Sequence, residues 1–233
     1  MSRAGSWDEL SDELSGEPLL TGDRAVLRPF TGDDADTMWA ILQDPEVLRF
    51  TFEPSSSDMS YERVRSWYAT RTDQPDRLDL AVTDRATGEL VGEVVLNEWD
   101  PHTRSCNFRT LIGPRGRNRG LGTEATGLIV AHGFERLGLH RISLEVYADN
   151  PRARRAYEKV GFRHEGTRRE SALREGRWVD EILMGILENE WAGAVGGDGV
   201  GVGVENGVGV RNGNGIGLGN GDGGGAAGAG QRG

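Results

Sequence analysis

Two stretches of the chain carry residue types whose spacing could do chemistry. The first is Arg117-Asn118-Arg119-Gly120-Leu121-Gly122-Thr123, between a strand-like run and a helical one. Glycines allow a tight turn and let a ligand approach the backbone amides. A helix start adds unpaired N–H groups and the positive end of the helix dipole. Together they predict an anion cradle. A nucleoside-triphosphate loop would need Lys after the last glycine, and none follows Gly122. Gly120-x-Gly122-x-x-Ala125 does fit a dinucleotide fingerprint, with Glu145 roughly 20 residues on. An arginine-rich loop before the glycines, and a single strand–helix–strand unit, weigh against that fingerprint. A nicotinamide oxidoreductase using the same glycines remains the alternative. The second stretch is Asn150-Pro151-Arg152-Ala153-Arg154-Arg155-Ala156-Tyr157-Glu158-Lys159-Val160-Gly161-Phe162. Asn150 is placed to cap a helix, and Tyr157 lies two turns on, so both can face one side. The plainer reading of the pair is a cap and a core aromatic.

These stretches need elements to hold them. Ala25–Phe30 reads as a strand, followed by a turn and a helix with Ala35, Met38, Trp39 and Leu42 at helical spacing. Pro45 interrupts, and a second helix fits Tyr61–Thr70. Strand-like runs at about 78–83 and 90–97 join through Asp84–Glu89, and Ser105–Ile112 alternates as a further strand. A helix from Thr123 to about Leu137 follows the cradle, then a strand over Arg141–Ala148. The Asn150 helix ends at Gly161. Two last strands, about 162–169 and 181–187, form a hairpin containing Trp178. The order β-α-α-β-β-β-α-β-α-β-β predicts a mixed α/β sheet in one domain over residues 19–192. An acidic lead (1–18) and a Gly-rich tail (193–233) read as flexible, because so much Gly costs too much entropy to order.

Composition removes several classes. The net charge of −10 argues against a nucleic-acid partner. The arginines clustered from Arg104 to Arg119 on that background suggest a small anionic ligand. No apolar run approaches the ~18 residues of a membrane span, so no membrane is expected. The start has no apolar stretch for a secretion signal. One cysteine, Cys106, cannot form an internal disulfide, and a cytoplasmic location follows as the expectation. Cys106 reads as a core thiol. His102, His132, His140 and His164 are scattered, so no metal site is expected.

Taken together, Arg117-x-x-Gly120-x-Gly122 opening a helix, then a strand, then Asn150-x6-Tyr157-Glu158-Lys159-x-Gly161-Phe162, resembles the GNAT acetyltransferase superfamily. Gly122-Thr123-Glu124-Ala125, Arg177-Trp178-Val179-Asp180-Glu181 and Glu190-Trp191 look most like the branch that acetylates ribosomal-protein N-termini. Asn118 stands where many relatives carry glycine. The resemblance implies acetyl-CoA as co-substrate. The backbone of Thr110, Leu111 and Ile112 would line the pantetheine arm, and the loop amides of Asn118 to Thr123 would hold the pyrophosphate. Asn150 would contact the pantetheine, and Tyr157 would protonate the departing thiolate. Glu145 matches a position used as general base. The side chains of Arg117 and Arg119 would add to phosphate binding. The implied acceptor is a primary amine, foremost a protein or peptide N-terminus, with an antibiotic or polyamine as alternative. A silent acyl-CoA-binding module is a further alternative. The protein would act as a monomer or homodimer.

Overall fold

The computed structural model describes residues 18–51, 60–70, 74, 77–194 and 203–205. Strands β1 (Leu19–Thr21) and β2 (Ala25–Pro29) form a hairpin. Three short helices follow, α1 (Ala35–Leu42), α2 (Pro45–Thr51) and α3 (Tyr61–Ala69). Strands β3 (Leu78–Asp84), β4 (Leu90–Asp100) and β5 (Ser105–Ile112) continue as an antiparallel meander. Helix α4 (Leu121–Glu135) crosses to β6 (Arg141–Tyr147), and α5 (Pro151–Val160) leads to the hairpin β7 (Arg163–Arg174) and β8 (Arg177–Leu187). Helix α6 (Glu188–Ala194) and strand β9 (Gly203–Glu205) close the order.

The strands form one mixed sheet, β7-β8-β6-β5-β4-β3-β2-β1-β9. Among the described residues only β5 and β6 are parallel neighbours, and the α4 crossover is what parallel strands require. A larger core lies under α4 and α5, with Leu128, Ile129, Ile142, Met184 and Ile186 buried. A smaller one lies on the opposite face under α1–α3, with Met38, Ile41, Val64, Tyr68 and Leu111. Strand alternation sends residues of β5 at odd separations to different cores: Phe108 to the first, Leu111 to the second.

The mixed α/β class and its element order match the reading from sequence. Four local features differ. Strand β1 precedes the expected first strand. Pro45 opens a helix rather than only interrupting one, because proline suits the first helical position and Asp44 caps the turn. Asp44 Oδ1 accepts the amides of Glu46 and Val47 at 3.1 and 3.0 Å. The last two strands are longer, running to the turn between Arg174 and Arg177. Finally, α6 passes the boundary set at residue 192, and β9 lies in the segment read as structureless. Its backbone pairs antiparallel with β1, Leu19 opposite Glu205, so an open sheet edge supplies hydrogen bonds that local propensity does not. The lead from residue 1 to 17 and the rest of the tail lie outside the described residues. Among the described residues no helix is long and apolar enough to cross a membrane.

Candidate active site

The sheet splits at its one parallel pair. Strands β5 and β6 pair only at Ser105–Arg141, Cys106–Ile142 and Asn107–Ser143. Beyond those residues they part, and a cleft of about 480 Å³ opens between Phe108–Ile112 and Glu145–Tyr147. On its other edge β5 stays paired, with Thr110 opposite Val94, Leu111 opposite Glu93 and Ile112 opposite Gly92. The edge facing β6 therefore presents backbone groups with no strand partner, available to a ligand. The Thr110 hydroxyl donates to the Glu93 carbonyl at 2.8 Å, which fixes that side chain against β4.

The glycine loop forms one end of the cleft. Asn118 (φ 58°) and Gly120 (φ 82°) both turn left-handed, which aims the chain into α4. Asparagine is among the few side chains that tolerate this conformation, so Asn118 holds it at low cost. Gly120 is the N-cap of α4 and no side chain caps the helix, leaving the first-turn amides for an anion. The loop is fastened from behind. Both Glu124 oxygens accept backbone N–H groups of the β1–β2 turn, from Asp23, Arg24 and Ala25 at 3.0, 2.7 and 2.6 Å. A Cβ on Gly120 would come within 2.8 Å of Arg24 Nη1.

The arginine side chains of this loop have other partners. Arg117, 11% exposed, donates through Nε to the Ile112 carbonyl at 2.9 Å and through Nη2 to Asp44 at 2.5 Å. It also reaches Glu46 at 3.3 Å. Arg119 turns out of the cleft to Asp84 at 2.5 Å and to the Arg115 carbonyl at 3.0 Å. Leu121 is buried in the core. The side chains of these three residues therefore do not extend freely into the cleft. Helix α2 lies at the same cleft and is tied to both its sides. Arg117 holds it on the loop side, while Arg49–Asp149 at 2.8 Å and Arg152–Glu46 hold it on the α5 side.

Asn150 caps α5, its Oδ1 accepting the Ala153 amide at 3.2 Å, and its side chain lines the cleft. Tyr157 stands on the same helix, buried, with its ring edge-on to Phe108 and Phe162 at 6.0 Å. Burial pushes its hydroxyl up to about 12, so it carries its proton at neutral and mildly alkaline pH. Ala153 and Ala156 leave room beside it along the cleft.

Glu145 lies on the opposite face of the sheet. It alternates with Leu144 and Val146, which join the α4–α5 core with Tyr157. Its Oε1 accepts from Arg168 at 2.5 Å, and Arg168 also holds Glu181 at 2.7 Å. Glu93 is on that same face, opposite Leu111, and accepts the Tyr68 hydroxyl at 2.9 Å. Tyr157 and both carboxylates border one cleft, from different faces of the sheet. Such an arrangement can receive an amine on one side and protonate a leaving group on the other.

Of the residues singled out in the sequence, the cleft gathers Thr110, Leu111, Ile112, Arg117, Asn118, Gly120, Gly122, Thr123, Glu145, Asn150 and Tyr157. Sequence reasoning missed Asp44, which caps α2 and anchors Arg117. It missed the anchoring role of Glu124, whose partners are about a hundred positions away. Cys106 is buried with its thiol pushed up by desolvation, which leaves it inert. His132 is buried in α4 with both ring nitrogens lacking partners, and burial pushes it down to about 4, so it packs as a neutral ring.

Residues 24–163 match the family described as Acetyltransferase (GNAT) domain. The uncharacterized N-acetyltransferase YoaA of Bacillus subtilis is 27% identical over 173 residues, covering 73% of this chain and 97% of that protein. The L-amino acid N-acetyltransferase AaaT of Escherichia coli is 29% identical over 162 residues, covering 68% and 95%. Among solved structures, spermidine N-acetyltransferase from Vibrio cholerae in complex with CoA and spermine superposes with a TM-score of 0.65 at 26% identity. It covers 72% of this chain and 98% of that one.

Proposed function

Because the chain belongs to the GNAT acetyltransferase family, we propose that the acetyl group it takes from acetyl-CoA goes to an α-amine, foremost the N-terminus of a peptide or protein. One observation carries this choice over a polyamine. Three carboxylates line the cleft among the described residues, and each is already engaged. Glu46 is held by Arg117 and Arg152, Glu145 by Arg168, and Glu93 by the Tyr68 hydroxyl. Five cations line the same cleft. A polycation would have to break those pairs to find its counter-charges, whereas an α-amine needs only one carboxylate for its proton. Having one amine to deprotonate also suits an α-amino group, whose pKa of ~8 is the lowest of the common amines.

The residues present fit acetyl-CoA. An uncapped helix start with two left-handed loop residues suits a pyrophosphate, and the strand edge of Thr110–Ile112 suits an amide-bearing arm. When bound, the thioester supplies an activated acyl carbon. The amides of Asn118 to Thr123 hold phosphate, and Asn150 orients the arm. Glu145, aligned by Arg168, takes the proton of the incoming amine directly or through water. Backbone N–H groups on the open edge of β5 stabilise negative charge on the carbonyl oxygen. Tyr157 holds the proton that the departing sulfur receives. Direct attack in the gap needs no acyl-enzyme, and most of the acceleration comes from holding the two reactants together.

A mass-spectrometric screen with acetyl-CoA against short peptides, free amino acids and spermidine tests the acceptor. Peptides are expected to exceed spermidine by about tenfold or more in kcat/KM. Spermidine as the best acceptor would overturn the proposal.

A further inference from the structure

The cleft holds one charged side chain for which neither the fold nor the chemistry described above has a use. The parallel register pairs Asn107 of β5 with Ser143 of β6, and continuing it past that last pair sets Arg109 level with Glu145 on the two sides of the gap. Arg109 is two positions from Leu111, so it shares the α1–α3 face with Leu111, Glu93 and Glu145. It lines the cleft, is exposed, and has no hydrogen bond or carboxylate partner among the described residues. The two cleft carboxylates on its face are engaged, Glu145 with Arg168 at 2.5 Å and Glu93 with the Tyr68 hydroxyl at 2.9 Å. Of the other cleft cations, Arg117 and Arg152 are paired with carboxylates, and Arg155 and Lys159 belong to α5 on the opposite face of the sheet. Arg109 is therefore an uncommitted guanidinium on the face where the amine is proposed to arrive.

We infer that Arg109 binds a carboxylate of the acceptor, so that the site selects α-amines carrying a negative charge close to the reacting nitrogen. The inference rests on the α-amine reading above and adds the acceptor's second charge to it. Arg109 and Glu145 then meet the two ends of one short zwitterion across the gap, the guanidinium donating to the carboxylate and Glu145 accepting from the ammonium. A guanidinium suits this task, because its planar fork can donate two parallel N–H···O bonds to one carboxylate. It also works against a purely cationic acceptor, which would meet like charge at the same place. Two sources share the chemistry: the side chain of an acidic residue at the start of a peptide, and the α-carboxylate of a free amino acid. Because Arg109 is exposed, the selection should weaken as salt rises.

Acetylation rates of the whole chain with matched acceptors test the inference. One pair is Ala-Asp-Ala amide and Ala-Asn-Ala amide, which differ in charge and hardly in shape. The other is alanine and alaninamide, which sets a free α-carboxylate against its neutral form. The readout is the charged-to-neutral ratio of kcat/KM and its change on substitution, in which the basicity of each amine cancels. Arg109→Gln is expected to lower that ratio by about 5- to 20-fold in at least one pair. A change in the first pair assigns the carboxylate to a peptide side chain, and a change in the second to a free amino acid. Arg109→Lys should keep most of the preference, and in the parent the same ratio should shrink with added salt. A role in packing alone would slow both members of a pair alike. Ratios that stay as in the parent in Arg109→Gln, or that ignore salt in the parent, would overturn the inference while leaving the α-amine reading in place. Spermidine outpacing every α-amine would instead remove that reading, and the inference with it.

Discussion

Arg117→Ala separates a structural arginine from a phosphate-binding one. The side chain is 11% exposed, and its main partner Asp44 is 16% exposed, so the pair sits in the wall of the cleft rather than in open water. Removing the guanidinium also frees the Ile112 carbonyl and leaves Asp44 with only the two amides that start α2. Breaking a fully buried pair costs about 3–5 kcal/mol. At a cleft wall with partial solvent, about 2–3 kcal/mol is expected. For a chain of this size that lowers Tm by about 4–12 °C. The pH dependence has a definite sign. The Arg117 hydrogen bond holds the Asp44 carboxyl below its ordinary range. Its contribution is therefore complete above the unfolded value of ~3.9 and fades as pH falls through the lower, folded value. The parent and variant should differ most near neutral pH and converge in strong acid. Urea denaturation at pH 7 and at about pH 3 measures this, with calorimetric CoA binding at two salt concentrations alongside. An unchanged Tm, together with weaker and less salt-dependent CoA binding, would refute the assignment and return Arg117 to the phosphate.

Three further outcomes follow from the site. Tyr157→Phe keeps the ring packed on Phe108 and should lower kcat by roughly 10²–10⁴-fold with little change in CoA affinity. Because burial holds the hydroxyl near 12, that deficit should be flat between about pH 6 and 10; parent-like turnover would leave Tyr157 a packing residue. Glu145→Gln should lower the rate most at neutral pH and recover as pH passes the ~8 of an α-amine. A defect that ignores pH in Glu145→Gln but appears in Glu93→Gln would move the base to β4. Gly122→Val should weaken CoA binding by tenfold or more, since even a Cβ there would come within 3.1 Å of Ile112 Cγ1 on the cleft wall. Normal affinity in a folded variant would show that the glycine serves the turn alone.

The local patterns legible in the sequence were those with a short period or a fixed spacing. Alternation over Arg141–Tyr147 and helical spacing after Pro151 located the strand and helix that carry Glu145 and Tyr157. The loop from Arg117 to Thr123 announced itself by glycine before a helix. What stayed hidden depends on distant partners. Asp44 and Arg117 meet only because α2 folds onto the loop, and Glu124 binds a turn about a hundred residues earlier. Composition predicted that arginines near phosphate would bind it. Geometry pairs Arg117 and Arg119 with carboxylates: the guanidinium of Arg117 is itself largely buried, and for Arg119 it is the partner Asp84 that is buried and must be paired. Strand β9 was invisible for a related reason. Gly-Val alternation has little strand propensity, and its pairing is set by the open edge of β1.

The split between β5 and β6 lets the proposed acid and base reach one cleft from opposite faces of the sheet. Alternation places Phe108 and the Tyr157 ring on the face covered by α4 and α5. It places Leu111, with Glu93 and Glu145, on the face toward α1–α3. In a continuous sheet these faces would never communicate, since the backbone itself would lie between them. Three paired positions hold the strands together at one end, enough to fix the angle of the gap and few enough to leave the rest open. In the proposed mechanism a tyrosine kept protonated by burial would act from the face covered by α4 and α5. A carboxylate held by Arg168 would take the amine's proton from the other face. The gap would thus let a proton acceptor and a proton donor reach the two ends of one direct transfer from opposite faces of the sheet, without touching each other.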